Sequence, residues 1–171
     1  MLSAKVEKAL NDQVALEVYS SDIYLSMGSW CETQKLENSA KFFYRHFGAE
    51  REHMMKLMTY VNREGGHALV PKIPAPPSEF KSLEAAFEMA LDNEKKVTKS
   101  IGKIVELSLE TKDYGTFTFL QWYVAEQQEE EGYFQSIVDK IKMIGIKDTR
   151  GLFFADKAIG KLLLVPEPGK K

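Results

Sequence analysis

The chain has very little cysteine and no long apolar run, and these two shortages exclude several classes of protein. Cys31 is the one cysteine, so no internal disulfide can form and no second thiol exists to build a thiolate metal site. We therefore expect Cys31 to be a small buried side chain and any metal to be bound by oxygen and nitrogen ligands. No window approaches the ~20 apolar residues of a membrane-spanning helix, and the first charges are not preceded by an apolar run. We expect a cytoplasmic protein with no membrane partner.

The chain also has no large excess of positive or negative charge. The chain has 23 Lys and Arg against 25 Asp and Glu, which gives a formal net charge of −2, and the two signs alternate along the sequence. Nucleic-acid-binding domains usually carry a basic patch or stripe, so we expect no nucleic-acid partner. A length of 171 residues, with 44% hydrophobic and 28% charged residues, fits one ordinary domain over residues 1–171.

Proline is confined to two short stretches, 71–77 and 166–168. Elsewhere apolar residues recur at helical spacing, which predicts an all-α protein. The inward stripe of the first helix, for example, is expected to include Leu10, Val14 and Leu25. The predicted helices cover approximately residues 4–33, 39–64, 82–111, 114–143 and 149–164.

The lengths of the connections predict the topology. Residues 67–80 contain four prolines and read as an extended crossover, whereas the other connections are short. Each long helix should measure roughly 40 Å at 1.5 Å per residue, a distance that an extended strap of about fourteen residues can span. The sequence therefore predicts a four-helix bundle with one long crossover, parallel second and third helices, and a short fifth helix.

Polar side chains interrupt the apolar stripe of every long helix near its middle. Because a buried carboxylate is costly unless its charge is compensated, these interruptions indicate a site. Each lies about 12 to 17 residues from the start of its helix, so in a bundle of equal helices they meet at mid-height. The interrupting residues are Glu17, Glu50, Glu94, Gln127 and Glu130, with His53 three residues after Glu50.

A bound pair of cations would resolve the repulsion among these carboxylates. Oxygen-rich ligation with one imidazole suits iron or manganese, and helical bundles build di-iron sites from single Glu residues and Glu-x-x-His pairs. Glu50 and His53 form one such pair. The second is incomplete, because the partner of Glu130 is Gln127 and no second histidine lies on the fourth helix. We expect one metal ion to be bound tightly and the other loosely.

The segments FLQWYVAEQQEEE at 119–131 and EREH at 50–53, together with Glu17 and Glu94, resemble the bacterial-type non-haem ferritins over nearly the whole chain. This resemblance implies a ferritin-like fold and two irons per subunit. Tyr24, near the centre, would serve in hydrogen bonding or one-electron transfer. The first iron would be bound by Glu17, Glu50 and His53, and the second by Glu50, Glu94 and Glu130 with Gln127 beside it.

The family also has a third iron position on the inner face. The matching residues here are Glu126, Glu129 and Glu130. A fourth family ligand, a Glu just before Glu50, is replaced by Ala49, which removes one ligand from that position. Glu52 or His46 lies within a turn of it and is an alternative donor.

The resemblance further implies a reaction and an assembly. Fe(II) would be oxidised by dioxygen, or by hydrogen peroxide, and ferric oxide-hydroxide would be deposited inside a hollow homo-oligomeric shell of 24 subunits. The predicted fifth helix, apolar around much of its circumference, should bury against other subunits. No haem is expected, because the haem-binding relatives have a methionine ligand where this chain has Arg51.

Two other hypotheses remain open from the sequence. One is a different di-iron enzyme on the same bundle, such as a peroxidase or oxygenase, which should have two complete Glu-x-x-His pairs. The other is a structural bundle without metal. Taken singly, Glu17 or Glu94 would more often be a surface residue, the acidic run 126–131 a solvated helix face, and Tyr24 a core aromatic.

Overall fold

The computed structural model describes residues 2–164, which form five α-helices and no strand. The predicted bundle with a short fifth helix is confirmed. No helix within these residues is long and apolar enough to cross a lipid bilayer. The helices are α1 (Ala4–Thr33), α2 (Glu37–Arg63), α3 (Leu83–Glu110), α4 (Tyr114–Ile144) and α5 (Thr149–Leu162). The end of the predicted fifth helix, at 164, is later than the end of α5.

Three of the long helices begin at a side-chain cap supplied by their own sequence. Ser3 Oγ accepts a hydrogen bond from a backbone N–H of α1, Ser82 Oγ does the same for α3, and Asp113 for α4. Helix α2 differs, because its N-cap residue Leu36 provides no side-chain hydrogen bond. It begins at Glu37, earlier than the start predicted at residue 39.

Two apolar cores, one in each half of the bundle, establish the directions of the helices. The first half of α2, the first half of α3, and the second halves of α1 and α4 share one core, which includes Tyr24, Phe43, Phe87 and Phe134. The other core contains the opposite halves, with Leu10, Val61, Ile101 and Leu120. Since α2 and α3 place their first halves in the same core, they are parallel, as the long crossover predicts.

The prediction for Leu25 was wrong. Its side chain is 43% exposed, whereas its neighbours Tyr24 and Met27 are fully buried. Successive residues of a helix are about 100° apart, so the stripe that includes Tyr24 turns Leu25 outward. Cys31 is buried as expected, and burial raises the pKa of its thiol to about 12.

The crossover, residues 67–80, is attached to α1 at both of its ends. Asn11 donates to the carbonyl oxygen of His67 at 3.1 Å and accepts from the backbone N–H of Leu69 at 2.8 Å. Near the other end, Ser26 Oγ donates to the carbonyl oxygen of Pro77 at 2.5 Å. These contacts place the start of α3 at the same end of the bundle as the start of α2.

Helix α5 packs across the end of the bundle with one face and leaves another face exposed. Ala155 and Ile159 are buried in the core shared by α1 to α4. Phe153 and Phe154 are 60% and 46% exposed. Exposed aromatic side chains on a docked helix form an apolar surface of the kind that protein contacts cover.

Candidate metal centre

The polar residues that interrupt the apolar stripes lie between the two cores. They come from all four long helices, and each is buried. The four long helices have similar lengths, and each carries its polar residues near its middle. These residues therefore meet halfway along the bundle. The residues of this carboxylate layer are Glu17, Glu50, His53, Glu94, Gln127 and Glu130.

Glu17, Glu50 and His53 form the tightest group in the layer. One ligand atom from each lies within 4.8 Å of the other two. Nδ1 of His53 is 3.7 Å from Oε2 of Glu17 and 3.5 Å from Oε2 of Glu50. These three buried atoms have no hydrogen-bond partner within residues 2–164. Buried polar atoms without partners are rare in proteins, and two carboxylate oxygens facing an imidazole nitrogen form a donor set suited to a divalent transition metal.

Both oxygens of Glu94 are used in hydrogen bonds. The hydroxyl of Tyr24 donates to Oε1, and Nε2 of Gln127 donates to Oε2 at 3.0 Å. Burial raises the pKa of Tyr24 well above its usual value, so its hydroxyl keeps the proton that it donates. Tyr24 and Gln127 thus orient Glu94 in this structure, and Gln127 presents its amide nitrogen to a carboxylate.

Glu130 faces His46, which the sequence analysis offered as an alternative donor at the third iron position. His46 is buried, and its Nε2 lies 3.8 Å from Oε2 of Glu130. Its Nδ1 lies 2.9 Å from the carbonyl oxygen of Phe42, to which it can only donate. The imidazole ring also stacks on Phe42, with 4.2 Å between ring centroids. His46 therefore connects the carboxylate layer to an aromatic core.

Sequence reasoning missed two further neighbours of the layer. Gln13 is fully buried and its Nε2 donates to Oε1 of Glu17. Tyr123 is also fully buried, with its ring centroid 5.3 Å from that of His53. Gln13 precedes Glu17 by one helical turn on the same face, and this spacing could have identified it as a neighbour of Glu17.

The charges of the layer are strongly coupled. Burial, together with the negative charge of Glu17, raises the pKa of Glu50 well above its usual range. Burial also raises the pKa of Glu94. For Glu17, burial acts in the same direction, but the adjoining His53 imidazole and Glu50 carboxyl outweigh it and lower the pKa. Burial would lower the pKa of His53, yet the hydrogen bond to Glu126 and the nearby carboxylates of Glu17 and Glu50 raise it to about 12. Without a cation, a proton on His53 compensates the carboxylates.

The acidic residues assigned to a third iron are placed differently from the tight group. Glu126 is 9% exposed, and its Oε1 lies 3.0 Å from Nε2 of His53. Glu129 is exposed on α4. Over the described part of the chain, no group of ligand atoms within 4.8 Å of one another includes Glu126, Glu129 and Glu130 together. The structure thus brings Glu126 to His53 and does not gather a third ligand set.

Comparisons with known proteins point to one family. A model of the ferritin-like domain family matches residues 7–144. A probable bacterial non-heme ferritin-like protein of Haemophilus influenzae is 48% identical over 162 residues, covering 95% of this chain and 98% of that protein. A bacterial non-heme ferritin of Campylobacter jejuni is 45% identical over 164 residues, covering 96% and 98%. Among solved structures, an open pore ferritin of the archaeon Archaeoglobus fulgidus has a TM-score of 0.90 and 40% identity, covering 94% of this chain and 98% of that one.

Proposed function

Because the chain belongs to the ferritin family, in its bacterial non-haem branch, we propose that it stores iron by oxidising Fe(II) at a dinuclear centre in the carboxylate layer. The observation that supports this most strongly is the group of three buried, unpartnered ligand atoms on Glu17, Glu50 and His53. These atoms would bind the first Fe(II).

The second Fe(II) would be bound by Glu50, Glu94 and Glu130, with Gln127 beside it. Glu50 is suited to bridge, because the charges of Glu17 and Glu94 both act on its carboxylate. Tyr24 and Gln127 orient Glu94 by donating to its two oxygens, whose remaining lone pairs would bind the ion, and Gln127 presents an amide nitrogen where a second Glu-x-x-His pair would place a ligand. The second iron is therefore expected to be held less tightly, which suits a substrate that has to leave.

The reaction we propose is a two-electron oxidation of two Fe(II) ions. Each Fe(II) loses one electron and one dioxygen takes both, forming hydrogen peroxide with two protons from water. Hydrolysis of the two Fe(III) ions then gives ferric oxide-hydroxide and a net release of four protons. If hydrogen peroxide is the oxidant, it is reduced to water instead. The carboxylates bind and orient the substrate ions and exclude bulk water from them.

Storage requires a closed space, so we propose that the subunits form a hollow shell of 24 copies. The exposed face of α5, with Phe153 and Phe154, would be covered by neighbouring subunits. The Archaeoglobus fulgidus relatives include an open pore ferritin and an engineered closed form, so the particle could adopt either type of shell.

One experiment tests the centre and the shell together. The metal-free protein is loaded anaerobically with two Fe(II) per subunit and mixed with oxygenated buffer, while visible absorption is recorded and particle mass is measured by native mass spectrometry. A fast absorption transient on a particle of about 24 subunits is the expected result. A small oligomer that oxidises iron would indicate a different di-iron enzyme. A protein that takes up no iron would be a structural bundle.

A further inference from the structure

The two ring nitrogens of His53 have different surroundings. Nδ1 faces Glu17 and Glu50, at the position proposed for the first iron. Nε2 points the other way and lies 3.0 Å from Oε1 of Glu126. Only one of these nitrogens can bind the metal, and the partner of the other determines which one carries hydrogen.

The contact between His53 and Glu126 joins two helices, because His53 lies on α2 and Glu126 on α4. Both side chains are nearly inaccessible to solvent, at 4% for His53 and 10% for Glu126. A charge-assisted hydrogen bond in such surroundings is stronger than one in water. The imidazole is further flanked by Tyr123 and Trp122, whose ring centroids lie 5.3 and 5.8 Å away.

We propose that Glu126 is a positioning residue for the first iron, which acts through His53 and does not bind a third iron. Its carboxylate accepts the Nε2–H, so the imidazole keeps its lone pair on Nδ1 and points it at Glu17 and Glu50. This inference rests on the proposed iron function. A carboxylate behind a metal-binding histidine also makes the imidazole a stronger donor, and its removal typically weakens metal binding 10- to 100-fold.

The surroundings of Glu126 favour this role over the one that the resemblance implied. The third site loses a ligand at Ala49, and Glu129 is exposed. An ion bound by Oε1 of Glu126 would compete with the hydrogen bond from Nε2 of His53. A third iron and the His53 contact would therefore share one carboxylate, and the geometry favours the role at the first iron.

The test is calorimetric titration of the metal-free, assembled protein with Co(II), which air does not oxidise under these conditions. Visible absorption of the bound Co(II) is recorded in parallel to report its coordination geometry. Glu126→Ala removes the acceptor and is expected to weaken the tightest site about 10- to 100-fold with a changed spectrum. Glu126→Gln keeps an acceptor oxygen at the same place, so it should recover part of the affinity. Glu131→Gln changes charge equally on the same helix and serves as the matched control.

The outcomes separate this inference from the proposed function. Wild-type protein that binds no Co(II) in the layer would contradict the proposed function itself. Wild-type binding that Glu126→Ala leaves unchanged would overturn the positioning role alone. So would a Glu126→Ala protein that binds one ion fewer at unchanged first-site affinity, because this is the signature of a third-site ligand. Glu126→Gln binding no tighter than Glu126→Ala would contradict the hydrogen-bond argument.

Discussion

The carboxylate of Asp156 in α5 caps the start of α2 through Ser39. Oδ1 accepts from the backbone N–H of Ser39 at 2.8 Å and from its hydroxyl at 2.7 Å, while Oδ2 accepts from the side chain of Asn38 at 2.9 Å. Leu36, the local N-cap residue, provides no such bond. A residue more than a hundred positions away in sequence thus supplies the cap that α2 lacks, and it attaches α5 to the bundle.

Replacing Asp156 by Asn should destabilise the subunit and loosen α5. The amide keeps the size of the side chain but turns an NH2 group towards the donors of Ser39 or Asn38 and loses the charge that the helix N-terminus favours, at a cost of about 1 to 2 kcal/mol in the free energy of unfolding. Thermal unfolding and limited proteolysis after α4 measure the effect. The control is Asp92→Asn, at an exposed position of α3. Equal stability of the two variants would show that the cap contributes nothing.

Glu50→Leu should separate stability from iron chemistry. Burial and the charge of Glu17 make the Glu50 carboxylate unfavourable in the metal-free protein, so its removal should raise the free energy of unfolding by on the order of 1 to 2 kcal/mol. The same change removes the proposed bridging ligand, and rapid Fe(II) oxidation should be lost. Denaturation curves and stopped-flow absorption give the two readouts. Glu106→Leu, at an exposed position of α3, is the control and should change neither the free energy of unfolding nor Fe(II) oxidation. Rapid oxidation retained in Glu50→Leu would rule out Glu50 as a bridging ligand.

Metal binding should release protons and tighten as the pH rises. The pKa values of Glu50 and Glu94 are raised above the usual 4.5, and that of His53 is raised from 6.5 to about 12. The stability that these protons provide is fully present at a pH below the usual pKa values of the groups. It is lost as the pH rises through the raised pKa values of the folded protein. The pKa of Glu17 is lowered, so the stability that its carboxylate contributes is lost only when the pH falls through that lowered pKa. A cation replaces these protons, so its own stabilising effect should grow as the pH rises towards the folded pKa values.

Proton release is measured by Co(II) calorimetry in two buffers with different ionisation enthalpies. The apparent binding enthalpy should depend on the buffer, and the increase of thermal stability on adding Co(II) should be larger at the higher pH. An enthalpy independent of the buffer would show that His53 and the carboxylates are already deprotonated before the metal binds.

Tyr24→Phe should weaken binding of the second iron. The variant keeps the buried ring but removes the hydroxyl that donates to Glu94, and we expect about a tenfold loss of affinity, equivalent to about 1.4 kcal/mol. Anaerobic Fe(II) titration measures the loss, with Tyr19→Phe, a half-buried tyrosine of the same helix, as control. Unchanged Fe(II) affinity in Tyr24→Phe would show that Tyr24 does not orient Glu94 for metal binding. A tyrosyl radical detected in wild-type protein by freeze-quench electron paramagnetic resonance would show that Tyr24 also transfers an electron.

Phe153→Ser combined with Phe154→Ser should reduce the size of the particle without unfolding the subunit. Both side chains are largely exposed on α5, so their loss costs the isolated subunit little, whereas burial between subunits would make each worth about 1.5 to 3 kcal/mol. Native mass spectrometry reports the assembly and circular dichroism the helix content. A full-size particle from this variant would show that α5 makes no essential subunit contact.

Much of the fold could be predicted from the sequence because its determinants are local. Four prolines in the crossover, serine caps at Ser3 and Ser82, and helical periodicity are all visible in short windows. The start of α2 was not predicted as accurately, because its cap comes from Asp156, far away in sequence. The position of Leu25 was predicted wrongly because a spacing of four residues from Ser21 also fits Leu25, which lies about 100° away from the face that Tyr24 occupies.

The carboxylate layer could be predicted because each of its members violates the apolar pattern of its own helix. The pairing within the layer could not be predicted from the sequence. Whether Gln127 binds a metal or donates to Glu94, and whether Glu126 meets His53, depend on how the helices rotate against one another. Gln13 and Tyr123 were missed for the same reason, because periodicity shows which face of a helix is buried but not which residue of another helix lies opposite.

The crossover divides the proposed centre between two hairpins. The first hairpin, α1 and α2, supplies Glu17, Glu50 and His53, whereas Glu94 and Glu130 come from the second, α3 and α4. A newly made chain whose second hairpin has not yet docked would thus offer one iron position and no place for its partner. Under the proposed function, two-electron oxidation would therefore require both hairpins to be docked, because only then does the second iron have its ligands.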